Sequence, residues 1–412
     1  MKLMIIGPSP YLRSSNGKLV KHAIEHLVEE RGHTVAVVAW DHDINYFTPD
    51  DTGPPPRWYY SFYDHGEPRQ KRDVPLFPIL PRTDPTVLIY EIMKSVEPEA
   101  VITVGDPLLC HFMPALQQFG NEFAWIALFA NWATPINEQL YDLLRLPDAI
   151  LSTNKFTVEQ IEKIGYSKPI DYCYVGYKSE EEMAEHGSFD IIPLLCSSST
   201  NLQVDNTAAV MEVASFLNME IPESKLLLNA NVHDRGGVDL GLVQARLDPD
   251  EKAIVFPDTF VSKYDQLPED QFIAMLRKSD IYVDFSMCSS TGMGVFEAMS
   301  HGCYPILSDC GVHPEIAELL EEQTEGWITA EDILVSCVHF MSTNGSYMAV
   351  VDQDDAICKI KALSKKIQEK AGRRRFLAES VDGFCLRGFL KALDGMIESS
   401  GEARNILSIE TL

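Results

Sequence analysis

The sequence contains no Cys-x-x-Cys pair, and its nine cysteines, at positions 110, 173, 196, 288, 303, 310, 337, 358 and 385, are scattered and odd in number. Zinc-ligand spacing and a disulfide framework are therefore both excluded, and buried, reduced thiols are expected. No apolar run approaches the ~18 residues of a membrane-spanning helix, and the apolar stretch in Met1-Lys2-Leu3-Met4-Ile5-Ile6-Gly7-Pro8 is too short for a signal peptide. A cytoplasmic protein with no transmembrane segment is the expectation. Basic residues are scarce, 34 Lys and Arg against 61 Asp and Glu, for a net charge of -27. A field of that sign repels phosphate backbones and anionic membranes, which disfavours nucleic acid as a partner. The one basic run, Arg373-Arg374-Arg375, reads as a solvated helix face.

What is present is globular composition, 45% hydrophobic and 23% charged, in 412 residues. That length exceeds one ordinary core and favours two domains. Short apolar runs alternate with longer helical periods in two stretches, as parallel sheets covered by helices require. In the first, covering 1–180, strands are predicted at 3–7, 34–40, 100–105, 125–130, 149–152 and 172–175, with a helix over 17–30. The Pro-, Asp-, Tyr- and Arg-rich stretch 47–82 reads as an irregular functional loop or lid. After an acidic linker over 179–188, the second domain, 188–375, has predicted strands at 191–195, 225–228, 253–256, 281–285 and 304–307. The last ~50 residues read as helical, with Ile357, Ile360, Leu363 and Ile367 and then Phe384, Phe389, Leu393 and Met396 at helical spacing.

In an open parallel sheet, ligands bind beyond the carboxyl ends of the strands, so the strand-to-helix loops are the candidate sites. The first loop runs through Gly7-Pro8-Ser9-Pro10-Tyr11-Leu12-Arg13-Ser14-Ser15-Asn16-Gly17-Lys18. Two readings of it stand. Backbone N–H groups, the helix dipole, Arg13 and Lys18 form an anion cradle, or the segment is a capped helix start with Asn16 as N-cap. The second loop, Cys288-Ser289-Ser290-Thr291-Gly292-Met293-Gly294-Val295-Phe296-Glu297, lets backbone approach a ligand closely. It also puts the Glu297 carboxylate in the next helix, where vicinal ribose hydroxyls can donate to it. A Gly-x-Gly loop by itself is weak evidence, because many only pack a helix on a sheet. The third loop is Ser308-Asp309-Cys310-Gly311-Val312-His313-Pro314-Glu315. Asp106, in Gly105-Asp106-Pro107, reads either as a group orienting an acceptor hydroxyl or as a turn-forming Asp before Pro. His111 reads either as catalytic or as a packed helical histidine.

The stretch Val295-Phe296-Glu297-Ala298-Met299-Ser300-His301-Gly302-Cys303-Tyr304-Pro305-Ile306, followed by Gly311-Val312-His313-Pro314-Glu315-Ile316, resembles the donor-binding signature of the family 4 retaining glycosyltransferases. Arg31-Gly32-His33-Thr34-Val35, Pro147-Asp148-Ala149-Ile150-Leu151-Ser152, Asp234-Arg235-Gly236-Gly237 and Ser279-Asp280-Ile281-Tyr282-Val283-Asp284 are similar to other segments of that family, in the same order. The resemblance implies the α/β GT-B fold: two Rossmann-like domains with parallel sheets facing across a cleft. The N-terminal domain would hold the acceptor and the C-terminal one a nucleotide-sugar co-substrate, without a cofactor or an obligatory metal. A final helix over about 376–400 would cross back to the N-terminal domain. Donor contacts are then expected from Ser289, Ser290, Thr291, Gly292, Met293, Gly294 and Glu297.

The sequence also departs from that pattern. The family pairs two glutamates with seven residues between them, and counting back from Glu297 puts Ser289 at the first position. Thr200 and Asp205 fall where the family carries a diphosphate-binding Arg and Lys, and Val175-Gly176-Tyr177-Lys178 replaces a His-Gly-Val-Asp element. A unit charge pair at ~4 Å is worth about 4 kcal/mol at an effective dielectric of ~20, so exchanging Lys for Asp beside a diphosphate matters. Three outcomes follow. Arg13, Lys18, Arg235 and Lys263 supply the charge, or the donor is unconventional, or the protein is a non-catalytic subunit that binds a sugar, nucleotide or partner. A phage-type transferase acting on modified DNA is a further alternative, opposed by the acidity. The acceptor is not identified by the sequence.

Overall fold

A computed structural model describes the chain except for residues 13, 41–57, 64–69, 80–84, 119–122, 132–133, 177–192, 200, 234–235, 258–266, 343–344, 369–376, 380, 382–383, 385 and 411–412. The chain divides into two compact units, Met1–Ala130 with Ile136–Cys173 and Phe389–Leu412, and Asn131–Pro135 with Tyr174–Gly388.

The first unit is built on an eight-stranded sheet. Its strands are β1 (Lys2–Pro8), β2 (Thr34–Trp40), β3 (Trp58–Tyr63), β4 (Lys71–Pro78), β5 (Ala100–Val104), β6 (Ala124–Leu128), β7 (Ala149–Ser152) and β8 (Ile170–Tyr172), in the order β3-β4-β2-β1-β5-β6-β7-β8. Neighbours pair parallel except β3 with β4. The central strands are continuous apolar runs because helices cover both faces; Leu3 to Ile6 and Val101 to Ile102 are fully buried. The final helix, Leu386–Glu410, enters this unit at Phe389. Phe389, Leu390, Leu393, Met396 and Ile397 bury its apolar stripe. Asp394 fixes it to the helix Ser15–Glu29 and the turn beyond, meeting His26 Nε2 at 2.9 Å and Arg31 Nε at 3.2 Å.

Within the stretch 47–82, expected from its composition to be an irregular excursion, residues 58–63 and 71–78 are regular strand. These are β3 and β4, which extend the sheet by two strands, and β3 makes the sheet mixed rather than wholly parallel. Trp58-Tyr59-Tyr60-Ser61-Phe62-Tyr63 is a strong strand former. Pro75 and Pro78 lie towards the end of β4, where only Leu76, Phe77 and Pro78 pair with β2.

The second unit has a six-stranded, all-parallel sheet: β9 (Leu194–Ser199), β10 (Lys225–Ala230), β11 (Ile254–Val255), β12 (Ile281–Asp284), β13 (Tyr304–Ser308) and β14 (Leu334–Val335). Their order is β11-β10-β9-β12-β13-β14. An antiparallel hairpin follows, β15 (Cys337–Met341) with β16 (Tyr347–Val351). The helix Gln353–Gln368 buries Ile357, Ile360, Leu363 and Ile367, the four positions read from the sequence period. The linker segment 179–188 lies outside the described residues. No helix among the described residues is long and apolar enough to cross a membrane.

Candidate functional site

Each sheet reverses its strand order once. In the second unit β9 leads through the helix Thr207–Glu220 to β10 on one side, while β12 pairs with β9 on the other. The loops that leave β9 and β12 diverge at that point, which in open α/β sheets is where ligands sit. The two loops are joined there by the Met287 N–H, which donates to the Val204 carbonyl at 2.8 Å.

The turn Ser289 to Gly294 lies directly beyond β12. Gly292 caps the helix Met293–Ser300 with φ 61°, a left-handed conformation that favours glycine, and a Cβ there would lie 2.4 Å from Ile316 Cδ1. A Cβ on Gly294 would lie 2.9 Å from the Tyr282 hydroxyl, so the helix sits tight on β12. Thr291 Oγ1 accepts weakly from the Met293 N–H at 3.4 Å. Ser289, Ser290 and Thr291 are half-buried, and Glu297, on the first turns of the helix, is only 4% exposed. The seven donor-side positions named above thus share one turn and the helix that follows it. Arg235 and Lys263 lie outside the described residues, as does Thr200.

Asp205 has a local function that the sequence reading missed. Its carboxylate accepts from the Leu202 N–H at 2.9 Å and closes a short 3-10 turn. Nearby, Asn201 is buried with φ 60° and donates to the carbonyls of Asn231 at 2.6 Å and Val238 at 2.8 Å, tying the β9 and β10 loops together. The described residues of the loops after β9, β10, β11, β12 and β13 include no Lys or Arg.

Two groups absent from the expected donor set stand out beneath the turn. Asp284 ends β12 and His313 opens the helix His313–Gln323, with Nε2 3.5 Å from Asp284 Oδ2. The His313 ring is wholly buried. Burial opposes its charge, but the Asp284 carboxylate facing it, with Cys310 beside it, prevails and pushes its pKa up to about 10. Burial likewise opposes ionisation of Asp284, and His313 with the Ser286 hydroxyl and N–H outweighs it, holding this carboxyl below its ordinary value. A sequence signal existed: an Asp closing an apolar strand and a His at the first position of a helix.

In the first unit the reversal lies between β1 and β5, so the loops after those strands are the corresponding place. They meet there: a Cβ on Gly105 would lie 3.7 Å from Asn16 Nδ2. Asn16 is not the N-cap expected of it. Ser14 caps the helix, accepting from the Gly17 N–H at 3.2 Å. The reason is that the helix begins at Ser15, one turn before the apolar periodicity shows itself. Gly17 is needed for close approach, since a Cβ would lie 2.2 Å from the Leu12 carbonyl oxygen. Ser14→Ala is expected to cost about 1 kcal/mol of stability in urea denaturation, and Asn16→Ala clearly less. Lys18 is half-buried on the first turn, and Arg13 lies outside the described residues.

Asp106 caps the turn Pro107–Cys110 by accepting from the Leu108 N–H at 2.8 Å, the turn-forming reading of that residue. Burial raises its pKa, partly offset by that hydrogen bond. His111 is exposed, and its Nδ1 is 3.0 Å from the Leu108 carbonyl oxygen. No group of three or more His, Cys, Asp or Glu among the described residues has metal-holding geometry.

No protein-family model matches the chain, and no curated protein matches it in sequence. Solved structures do match over nearly the whole length. An alpha,alpha-trehalose-phosphate synthase (UDP-forming) from Burkholderia vietnamiensis aligns with 97% of this chain and 100% of its own, at TM-score 0.64 and 11% identity. The apo form of the lipopolysaccharide outer core galactosyltransferase WaaB aligns with 97% and 99%, at TM-score 0.63 and 13% identity. A trehalose-6-phosphate structure from E. coli, bound with UDP-2-fluoro glucose, aligns with 96% and 99%, at TM-score 0.65 and 10% identity. This chain has the GT-B fold. The resemblance read from the Glu297 and Gly311 segments and the GT-B architecture of the coordinates agree. Identities of 10% to 13% carry the fold and no more.

Proposed function

We propose that this GT-B protein is a retaining glycosyltransferase of the family 4-like type, moving a sugar from a nucleotide-sugar donor to an acceptor. The observation that carries the reading is the turn Ser289 to Gly294, with Glu297 behind it, at the strand-order reversal of the second unit. Glu297 accepts from the ribose hydroxyls in this scheme, and its shielding from bulk water strengthens such charge-assisted bonds. The turn N–H groups and the helix dipole approach the phosphates. With retention, the leaving phosphate helps deprotonate the acceptor on the same face, so the protein mainly orients reactants and stabilises charge. Asp106 and His111 are the acceptor-side candidates. No metal or cofactor enters the scheme. A cytoplasmic setting belongs to the same reading.

The test is a thermal-shift panel of UDP, GDP, ADP and CMP, with turnover of the matching sugar nucleotides and NMR of the product anomer. The bound UDP-sugar of the E. coli structure makes UDP the first probe. One nucleotide should raise the melting temperature by mass action. Glu297→Gln should weaken its binding by about tenfold to a hundredfold, the worth of a hydrogen bond to a charged group. No shift from any of the four nucleotides, together with no donor consumption, would end the reading.

A second reading, a non-catalytic GT-B subunit, is favoured by the commitment of Asp205 to a backbone turn and by Ser289 in place of a glutamate. Nucleotide binding without donor hydrolysis or transfer would select it.

A further inference from the structure

The loop after β12 is fastened on three sides. Towards β9, the Met287 N–H donates to the Val204 carbonyl at 2.8 Å; towards the hairpin, the Ala349 N–H donates to the Met287 carbonyl at 2.9 Å. Towards β13, the Val312 N–H donates to the Ser289 carbonyl at 3.1 Å. On that side too, the Ser286 carbonyl accepts from the Ser308 hydroxyl at 2.6 Å and from the Cys310 thiol at 3.1 Å. Asp284 and His313 lie at the centre of this last seam. One Asp284 oxygen accepts from the Ser286 N–H at 3.0 Å and the other faces His313 Nε2 at 3.5 Å. The His313 Nδ1 is 3.0 Å from the Ser308 carbonyl oxygen and 3.1 Å from its hydroxyl.

A buried ion pair is a weak means of stabilising a fold, because apolar residues of similar size often do as well or better. An ion pair does have what an apolar contact lacks, a single preferred register, and a one-position slip between these loops would separate the charges. We propose that Asp284 and His313 are positioning residues of the donor site: their pairing fixes the register of the β12 loop against the β13 loop and so sets the turn Ser289 to Gly294 in its binding arrangement. What the turn binds rests on the function proposed above; the register claim does not.

The test uses the full chain with Asp284→Leu and His313→Leu combined, which removes both charges while keeping apolar volume. Three quantities are read: the melting temperature, amide hydrogen exchange at Met287, Val312 and Met293, and affinity for whichever of UDP, GDP, ADP and CMP the unaltered protein binds. The expected result is a melting temperature within about 4 °C of the parent, exchange at those amides faster by about tenfold or more, and nucleotide affinity lower by about tenfold. A purely structural pair would leave exchange and affinity unchanged in the folded variant, and that outcome overturns the proposal. If the double variant does not fold, His313→Gln, which keeps a donor to the Ser308 carbonyl, is measured in the same three ways. Should the unaltered protein bind none of the four nucleotides, the donor reading fails, while hydrogen exchange still decides the register claim.

Discussion

Gly311→Ala is expected to destabilise the second unit by roughly 3 kcal/mol or more, the left-handed penalty of about 1 kcal/mol being its smaller part. Gly311 has φ 58°, which an L-residue adopts only at a cost. The larger part is steric. A Cβ at this position would lie 2.3 Å from the Ser289 carbonyl oxygen and 2.7 Å from the Ser289 nitrogen, and these are backbone atoms that no rotamer change can move aside. The Ser289 carbonyl also accepts from the Val312 N–H, so relieving the clash breaks the bond joining the two loops. Gly326 supplies the control. Its φ is 74°, yet a Cβ there would meet nothing within 4 Å, so Gly326→Ala should cost only the backbone term of about 1 kcal/mol. Urea unfolding of both variants separates the contributions. Equal losses would show that the loops part freely and that the close approach at Gly311 does not constrain the turn.

The contrast between these glycines also shows what the sequence could convey. Strands β2 and β7 were legible to the residue, because an apolar run between polar boundaries has little choice in a helix-covered sheet. Strands β3 and β4 were not, since prolines and charged residues in 47–82 masked an aromatic strand that only the pairing with β4 reveals. At the site, the Gly-x-Gly turn and Glu297 were legible as a motif with a mechanism. The role of Asp205 was not, because a carboxylate that caps its own turn and one that faces a ligand are spelled alike. The Asp284 and His313 pair was hidden for another reason. The two lie 29 positions apart on separate strand-helix units, and only the register of β12 with β13 brings them within 3.5 Å. Of the four cations invoked for the donor charge, Arg13, Arg235 and Lys263 lie outside the described residues, and Lys18 sits on the first turn of the helix Ser15–Glu29 in the first unit.

The stability difference between the parent and His313→Gln is expected to depend on pH in a way that ordinary surface histidines do not produce. The pKa of folded His313 is raised to about 10, against a value of about 6.5 in the unfolded chain. Stability from this shift is therefore complete below about pH 6.5, declines as pH rises beyond that, and is lost as pH passes through about 10. Asp284 is shifted the other way, so its contribution is present above the ordinary aspartate value of about 3.9 and is lost as pH falls through the lowered one. Both contributions are whole only between roughly pH 4 and 6.5. Removing His313 leaves the Asp284 carboxylate, 21% exposed, without its partner, which costs less than the ~3–5 kcal/mol of a fully buried charge left alone. Urea midpoints of parent and variant from pH 5 to 10 should thus differ most near pH 5 to 6 and converge towards pH 10. Taking the difference cancels the titration of distant groups, which is shared by both proteins. A gap that stays constant across that range would mean His313 is neutral at physiological pH and the pair is a plain hydrogen bond. If the gap closes as described, nucleotide affinity should fall over the same alkaline limb. The nucleobase and other protein groups also titrate on that limb, so the His313→Gln variant is the control: a loss seen in the parent and absent from the variant traces to the seam under Ser289.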